Sequence, residues 1–260
     1  MLCKICSHST EPFSSARILG RYDICYYQCT YCSFVQTETP YWLDEAYANV
    51  INNSDIGLVS RNLKLANLTY SVINSFFDSG GKFVDYGGGY GMFVRLMRDK
   101  GINFFRYDPL CENLFAKSFD VNSINTEHFE LATAFEVFEH LTDPMDEIQS
   151  ILLFSPSIFF STILLPPNQP KPAEWWYYGL EHGQHVSIYS RKSLEIIAEI
   201  FGLELYSNGR SYHLLTNKSF PHQLYRLAAS YKFSKILNLV VRRHSLLEQD
   251  YYDITGNKLN

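Results

Sequence analysis

The chain has 260 residues, which suits one catalytic domain with a small appendage and is too short for two ordinary enzyme domains. Hydrophobic residues make up 46% of the chain and charged residues 19%, so a sizeable core is available and disorder is not the default. The net charge of −5 argues against a protein that binds nucleic acid through broad phosphate contacts, because such binding needs clustered Lys and Arg.

The sequence shows neither a secretory signal nor a membrane span. The N-terminus lacks the apolar segment of a signal peptide. The uncharged run 148–165 contains Pro156 and several Ser and Thr residues, which favours a helix end, a turn and a buried strand over a membrane helix. We therefore expect a cytoplasmic protein.

Two closely spaced cysteine pairs lie near the N-terminus, Cys3 with Cys6 and Cys29 with Cys32. Each Cys-x2-Cys pair favours a tight turn that directs two thiolates at one cation, and two pairs complete the tetrahedral sulfur site that Zn²⁺ prefers. Disulfides or free thiols are the alternative, and the absence of a signal peptide disfavours disulfides. Because the protein supplies all four ligands, we expect a structural zinc. Cys25 is close enough to be a rival ligand.

Downstream, apolar periodicity predicts a helix over 63–77 and then strands that alternate with helices. The strands are expected at 82–85, 103–108, 129–135 and 157–165, and the helices at 92–100, 141–153 and 190–201. Two last strands, at 203–207 and 211–215, are joined through Asn208 and Gly209, which is a hairpin signal. This alternation favours a doubly wound α/β fold with a mostly parallel sheet that ends in an antiparallel β-hairpin.

The predicted elements divide the chain into four segments. They are a zinc-ribbon module at 1–40, a linker with helices at 41–80, an α/β domain at 81–217 and a C-terminal helical tail at 218–260. The tail is long enough for one or two helices.

A glycine-rich turn, Gly87–Gly91, joins the strand 82–85 to the next helix. Glycines allow positive φ and close approach of a ligand, which would lie outside the carboxyl end of the sheet. The turn departs from the NAD fingerprint because Met92 occupies its third glycine position. Asp85 ends the strand before the turn, where it can meet a cationic amine or an ordered water, and Asp108 closes the next strand, where it can accept both ribose hydroxyls. A purely structural turn is the alternative.

The segment that follows, from Phe129 to Leu141, contains the run Glu-Val-Phe-Glu-His-Leu. Together with the glycine turn and Asp108, it resembles the successive motifs of class I S-adenosylmethionine-dependent methyltransferases over about residues 60–217. The resemblance implies a seven-stranded sheet and S-adenosyl-L-methionine as cofactor. It implies the following cofactor-binding residues: Asp85, Tyr86, Gly87, Gly88, Gly89, Gly91, Asp108, Pro109, Phe135 and Glu136. We expect Glu139 and His140 of the same run to cap and pack the next helix.

The connection after the fifth strand carries four consecutive aromatic residues, 175–178, followed by candidates for a general base. Its segment 184–190 resembles the His-bearing motif of zinc-containing sugar C-methyltransferases and their uncharacterised relatives, with Gln184 in place of their usual Glu. His185 is the base candidate, with Glu181 beside it, and the alternative is that His185 bonds the backbone and orders the loop. The aromatic residues either stack on a sugar or pack over the cofactor.

We therefore predict a methyltransferase that acts on a small hydroxylated metabolite, with a nucleotide-linked sugar or glycan unit as the leading class, by in-line methyl transfer. One alternative is a methyltransferase of RNA or protein that uses the ribbon as a reader. Another is a non-catalytic interaction protein that binds zinc and the cofactor.

Overall fold

The computed structural model describes residues 1–48, 56–125 and 128–259, so part of the predicted linker, 49–55, lies outside the described residues. In chain order the strands are β1 (Thr10–Ile18), β2 (Tyr22–Cys29), β3 (Val35–Thr37), β4 (Lys82–Tyr86), β5 (Asn103–Tyr107), β6 (Leu131–Ala134), β7 (Ser157–Ser161), β8 (Ser187–Ile188), β9 (Glu204–Ser207) and β10 (Tyr212–Thr216). The α-helices are α1 (Leu43–Ala46), α2 (Leu58–Phe76), α3 (Met92–Asp99), α4 (Pro144–Leu152), α5 (Arg191–Phe201), α6 (His222–Ala228), α7 (Tyr231–Val240) and α8 (Leu247–Thr255).

The chain forms two compact units, each built from separated segments. The first unit comprises Met1–Asp55, Glu136–Ser150 and Phe160–Lys218. The second unit comprises Ile56–Phe135, Ile151–Phe159 and Ser219–Asn260.

The larger sheet has the strand order β5-β4-β6-β7-β10-β9. β4 pairs in parallel with both β5 and β6, and β9 and β10 form the final antiparallel hairpin. Asn208 closes this hairpin because its side-chain oxygen accepts hydrogen bonds from three successive backbone amides, at 2.9 Å from Arg210, 2.9 Å from Ser211 and 3.1 Å from Tyr212. The predicted α/β fold with a mostly parallel sheet and a terminal hairpin is thus confirmed.

The predicted count of seven strands is wrong, since the larger sheet has six strands among the described residues. Beside β5, at the edge of the larger sheet, a single parallel bridge joins Arg106 to Asp120. The chain turns into a 3-10 helix, Val121–Ser123, directly after this bridge. An extended segment that ends after one paired residue cannot build a strand.

The N-terminal sheet, in the first unit, has the order β1-β2-β3-β8. Its last strand comes from the connection after β7, and Val35 of β3 pairs with Ile188 of β8. The apolar side chains of the ribbon share one core with this connection, and the buried members of that core are Ile18, Ile24, Tyr26, Val35, Trp42, Ala46, Leu165, Tyr177, Tyr178, Val186 and Ile188. A small β module cannot bury a core alone, and here the later segment supplies the missing half.

The tail, in the second unit, forms three helices, α6 to α8, so the expectation of one or two is wrong. Ser230 interrupts the helical periodicity because its hydroxyl accepts from the amide of Phe233 and begins a new helix there. The tail packs on α2, where the rings of Phe76 and Phe220 stack with centroids 4.0 Å apart. α2 is 19 residues long, and neither it nor any other helix in the described ranges combines the length and apolar character that a bilayer crossing needs.

Candidate functional site

The glycine turn after β4 needs glycine for two different reasons. Gly89 and Gly91 have φ of +53° and +85°, a region that other residues rarely adopt. Gly88 is limited by space, because a Cβ there would stand 2.8 Å from both Arg106 Cγ and Asp85 Oδ2. Beyond its chain neighbours, no described atom lies within 4 Å of a Cβ placed on Gly89, so the backbone is open to a ligand there.

Asp108 follows β5 and holds the glycine turn through its side chain. Oδ2 accepts from the amide of Gly89 at 2.8 Å, and Oδ1 accepts from the amides of Leu110 at 2.8 Å and Cys111 at 2.9 Å. A carboxylate offers about four acceptor positions, so about one remains for a further donor. Asp108 can therefore accept one ribose hydroxyl without a change in the loops, whereas the sequence interpretation assigned it both.

Arg106 is a residue of this site that sequence reasoning missed. It lies in β5 and is 5% exposed. Its guanidinium donates to Asp120 Oδ1 at 2.7 Å, to the carbonyl of Cys111 at 2.9 Å and to the carbonyl of Gly89. Arg106 thus holds the carbonyl of Gly89, while Asp108 holds the amide of the same residue. Its signal in the sequence was a cation between the aromatic residues Phe105 and Tyr107 of this strand.

Asp85 lies at the buried end of β4, 4% exposed. Its Oδ1 accepts a hydrogen bond of 2.6 Å from the hydroxyl of Thr133 in β6, a partner that the sequence did not reveal. Burial raises the pKa of the Asp85 carboxyl to about 7, although the hydrogen bond from Thr133 acts in the opposite direction. Asp85 is therefore a carboxyl that changes charge near neutral pH.

The remaining residues that were predicted to bind the cofactor differ in how far they are exposed to solvent. Tyr86 is buried with its ring 4.9 Å from that of Tyr107, and Pro109 is exposed. Phe135 is half-buried, with its ring edge-on to Phe93 at 5.2 Å.

Glu136 is exposed and has φ of +55°, an unusual conformation for a residue with a Cβ. Its carboxylate accepts a hydrogen bond of 2.7 Å from the hydroxyl of Ser161, and that hydroxyl accepts from the Glu136 amide at 2.8 Å. The two bonds hold the backbone turn at the start of the Glu-Val-Phe-Glu-His-Leu run.

The first unit brings His185 together with two residues that were expected only to cap and pack. Ligand atoms of Glu139, His140 and His185 all lie within 4.8 Å of one another, and among the described residues Glu181 is not part of this group. His185 Nδ1 bonds the carbonyl of Tyr177, which is the loop-ordering contact that the sequence left as an alternative. Burial lowers the pKa of His140 to about 4 and that of His185 well below its ordinary value.

The aromatic run divides between core and surface. Tyr177 and Tyr178 are buried, and the Tyr177 hydroxyl accepts from the amide of Ile163 at 2.9 Å. Trp176 is 73% exposed. Packing thus accounts for the two tyrosines, whereas Trp176 is free to stack on a ligand.

The four predicted cysteine ligands converge, with their sulfur atoms all within 4.8 Å of one another. The Sγ–Sγ distances are 3.6 Å for Cys3 and Cys32 and 3.4 Å for Cys6 and Cys29. The hydrogen bond between the first two lowers the pKa of Cys3 to about 5 and raises that of Cys32. Cys25 is exposed and lies outside the group, and each of the six cysteines is a free thiol.

The two Cys-x2-Cys turns have matching backbone geometry. Ser7 and Ser33, each directly after the second cysteine of its pair, have φ of +57° and +59°. Their amides donate to the carbonyls of Cys3 at 2.9 Å and Cys29 at 3.1 Å, the first cysteine of each pair. In both turns the amide two residues after that first cysteine points at its sulfur, at 3.4 Å. Both turns are thus shaped to direct two sulfurs at one point, as a bound cation requires.

A family model described as a methyltransferase domain matches residues 61–208, which is more than half of the chain and runs from within α2 to the residue after β9. No curated protein matches the chain. Three similar solved structures are CalO1, a methyltransferase of calicheamicin biosynthesis in its SAH-bound form, human N-acetylserotonin methyltransferase with SAM, and the plantazolicin methyltransferase BpumL with SAH.

The similarities to these three structures are remote. CalO1 is 14% identical with a TM-score of 0.46, over 68% of this chain and 60% of its own. The human enzyme is 12% identical with a TM-score of 0.38, over 68% and 66%. BpumL is 10% identical with a TM-score of 0.45, over 69% and 92%. The chain thus spans less than two thirds of the first two structures.

Proposed function

The chain belongs to the methyltransferase domain family and has the class I methyltransferase fold, and from this premise we propose that it transfers the methyl group of S-adenosyl-L-methionine to a small hydroxylated acceptor. The observation that carries the proposal is the glycine turn, open at Gly89 and held between Asp108 and Arg106. Other turns of the chain are also open, and this one differs because side chains fix its backbone on both sides, Asp108 at the amide of Gly89 and Arg106 at its carbonyl. The leading acceptor class is a nucleotide-linked sugar or glycan unit, without nucleic acid as partner.

The residues of the glycine turn fit the cofactor in charge and in space. Ionised Asp85 offers a buried negative charge to the methionine ammonium, and Asp108 has room for one ribose hydroxyl. In the described part of the chain no side chain caps the start of α3. The first amides of this helix are therefore available to the carboxylate of the cofactor's methionine part. When bound, the cofactor supplies a methyl group on a positively charged sulfur.

The protein has to orient the acceptor oxygen for in-line attack and, where that oxygen carries a proton, remove the proton. His185 and Glu181 are the proposed residues for proton removal. The Nδ1 contact of His185 leaves Nε2 as its acceptor, which supports a base role, and Glu181 is exposed. Trp176 is the proposed stacking surface for a sugar, since its ring is exposed.

We further propose that Cys3, Cys6, Cys29 and Cys32 hold a structural Zn²⁺. Four thiolates suit this ion and leave no open coordination position, so the metal would fold the ribbon and take no part in the reaction. The matched turns and the short sulfur distances support this assignment.

Cofactor binding can be tested by calorimetric titration of S-adenosylmethionine into the Asp108→Asn variant. We expect affinity to fall by a factor of ~10–100, because a hydrogen bond to a charged group contributes ~1.5–3 kcal/mol. Glu112→Gln is the matched control, since Glu112 is an exposed carboxylate in the loop that follows. Equal affinity of both variants and the wild type would refute the role of Asp108.

The acceptor class can be tested by measuring release of S-adenosylhomocysteine from the full chain with a panel of nucleotide sugars, free sugars, RNA and peptides. Release that depends on a nucleotide sugar supports the proposal, whereas release only with RNA or peptide moves the substrate to those classes. Binding of the cofactor without release for any acceptor would identify a non-catalytic binding protein.

A further inference from the structure

The group formed by Glu139, His140 and His185 is unusual for a cluster inside a protein. Glu139 is 1% exposed, and its carboxylate shares its surroundings with two imidazoles whose rings lie 4.9 Å apart at 84°. The ligand atoms of the three side chains all lie within 4.8 Å of one another, so the three together could hold one metal ion. All three residues belong to the first unit, like the cysteine group.

Both imidazoles are held in the orientation that metal-binding histidines adopt. His185 Nδ1 bonds the carbonyl of Tyr177, and His140 Nδ1 bonds the carbonyl of Gln184 at 3.2 Å. A carbonyl can only accept, so these contacts assign the proton of each ring to Nδ1 and leave the lone pair on Nε2. Metal-ligating histidines commonly make this second contact, because it fixes the tautomer and the ring direction. The hydroxyl oxygen of Tyr47 lies 3.0 Å from His140 Nδ1 and, in this tautomer, accepts from its N–H.

The backbone around the group is also tied together. Glu139 accepts through its own carbonyl from the amide of Val186 at 2.9 Å, which links the turn of Glu139 and His140 to the segment of His185. β8 begins directly after this point and pairs with β3. The three side chains thus rest on two segments that are bonded to each other and to the ribbon sheet.

From this arrangement we propose that Glu139, His140 and His185 form a second metal site, for a divalent first-row cation. Two imidazoles and one carboxylate are a donor set typical of zinc and iron sites with three protein ligands. Such a site leaves at least one coordination position for water or another oxygen ligand, whereas the four-thiolate group is closed. The two sites therefore differ in donor chemistry and can be measured separately.

This inference concerns metal binding and does not depend on the proposed methyl transfer. It does compete with the proposed base role of His185, because one Nε2 lone pair cannot both bind a cation and accept a proton. Metal binding at these residues would leave Glu181 as the remaining proposed base.

The test uses the full chain, freed of metal by a chelator and titrated with Zn²⁺ or Co²⁺ as the only added cation. We expect two bound equivalents per chain by elemental analysis. With Co²⁺, the cysteine group should show thiolate-to-metal charge-transfer absorption, whereas the second site should not. Glu139→Gln and His185→Asn should each lose one equivalent, with an affinity loss greater than ~100-fold, and keep the thiolate absorption.

The variants are chosen to keep the local structure. Asn at 185 retains an N–H donor near the position of Nδ1 and removes Nε2. His182→Asn is the matched control, since its ring lies 4.8 Å from that of His185 but outside the ligand group, and Asn retains an acceptor for the amide of Gln184. It should bind two equivalents. A wild-type chain that binds only one equivalent of Co²⁺, with full thiolate absorption, refutes the proposal without any variant, and so does equal binding by wild type and both ligand variants.

Discussion

Asp85 is a buried carboxyl at the end of β4, and its charge is set by its surroundings. With its pKa raised to about 7 by burial, it is neutral below that pH and ionised above it. Only the ionised form attracts the ammonium group of the proposed cofactor. We therefore expect affinity for S-adenosylmethionine to increase from pH 6 to pH 8 in calorimetric titrations, and Asp85→Asn to bind weakly at every pH.

Thr133→Val provides the control for this pH dependence. The hydroxyl of Thr133 stabilises the ionised form of Asp85, so its removal should move the rise in affinity to higher pH. A wild-type affinity that does not change between pH 6 and pH 8 would contradict the assigned contact.

The same group affects stability in the absence of cofactor. The pKa of Asp85 is about 7 in the folded chain, above the ordinary value of 3.8. The contribution of Asp85 to the free energy of unfolding is therefore fully present below pH 3.8 and is lost as the pH rises through 7. Asp85→Asn cannot ionise. We expect this substitution to raise the thermal unfolding midpoint more at pH 8 than at pH 5, and an equal change at both values would contradict the raised pKa.

At the scale of elements, the cysteine turns that would hold the proposed zinc are connected to strand β8. β3 follows the second cysteine turn and pairs with β8, and the hydroxyl of Ser190 bonds the carbonyl of Cys32. We expect Cys29→Ser to lose the bound zinc and to increase amide hydrogen exchange in both 1–40 and 184–190, because the two segments share one sheet and one core.

Cys25→Ser is the matched control for this experiment, since Cys25 is exposed and outside the four-sulfur group. Its zinc content by elemental analysis and its exchange rates should equal those of the wild type. Full protection of both 1–40 and 184–190 in Cys29→Ser would show that the ribbon does not depend on the metal.

Elements were predictable where a local pattern determines them. Short apolar runs between the helices located β4, β5 and β6, and Asn208 with Gly209 located the last hairpin. β8 has only two residues, and it is a strand because β3 lies beside it, which no local pattern reveals. No local pattern shows either that the segment beside β5 stops short of being a strand. Asp120 pairs with Arg106, and a 3-10 helix follows at once.

The residues of the cysteine group and of the glycine turn were also predictable only where a local pattern determines them. The spacing of the cysteines and the glycines depends on local turns, and the structure brings those residues together. The contacts of Arg106 with the turn, of Thr133 with Asp85, and of His140 with His185 join separate segments. Such pairings depend on the packing of the whole unit, so one sequence cannot reveal them.

At the scale of the whole molecule, the tail belongs to the same unit as the glycine turn. Asp250 of α8 is 2% exposed and receives two hydrogen bonds from the guanidinium of Arg98 in α3, at 2.5 and 2.8 Å. Arg95 donates to the same carboxylate at 2.8 Å. Since α3 begins at the glycine turn, the tail stabilises the helix on which the proposed cofactor site depends.

We expect Asp250→Asn to lower the free energy of unfolding by ~3–5 kcal/mol in urea titrations, because it leaves the guanidinium of Arg98 buried without its counter-charge. Asp253→Asn is the matched control, since Asp253 is exposed on the same helix, and it should change stability by less than ~0.5 kcal/mol. A second substitution, Arg98→Met in the Asp250→Leu background, should recover part of the loss, because it removes both buried charges together. Equal stability of the Asp250 and Asp253 variants would show that the tail is not held by this ion pair.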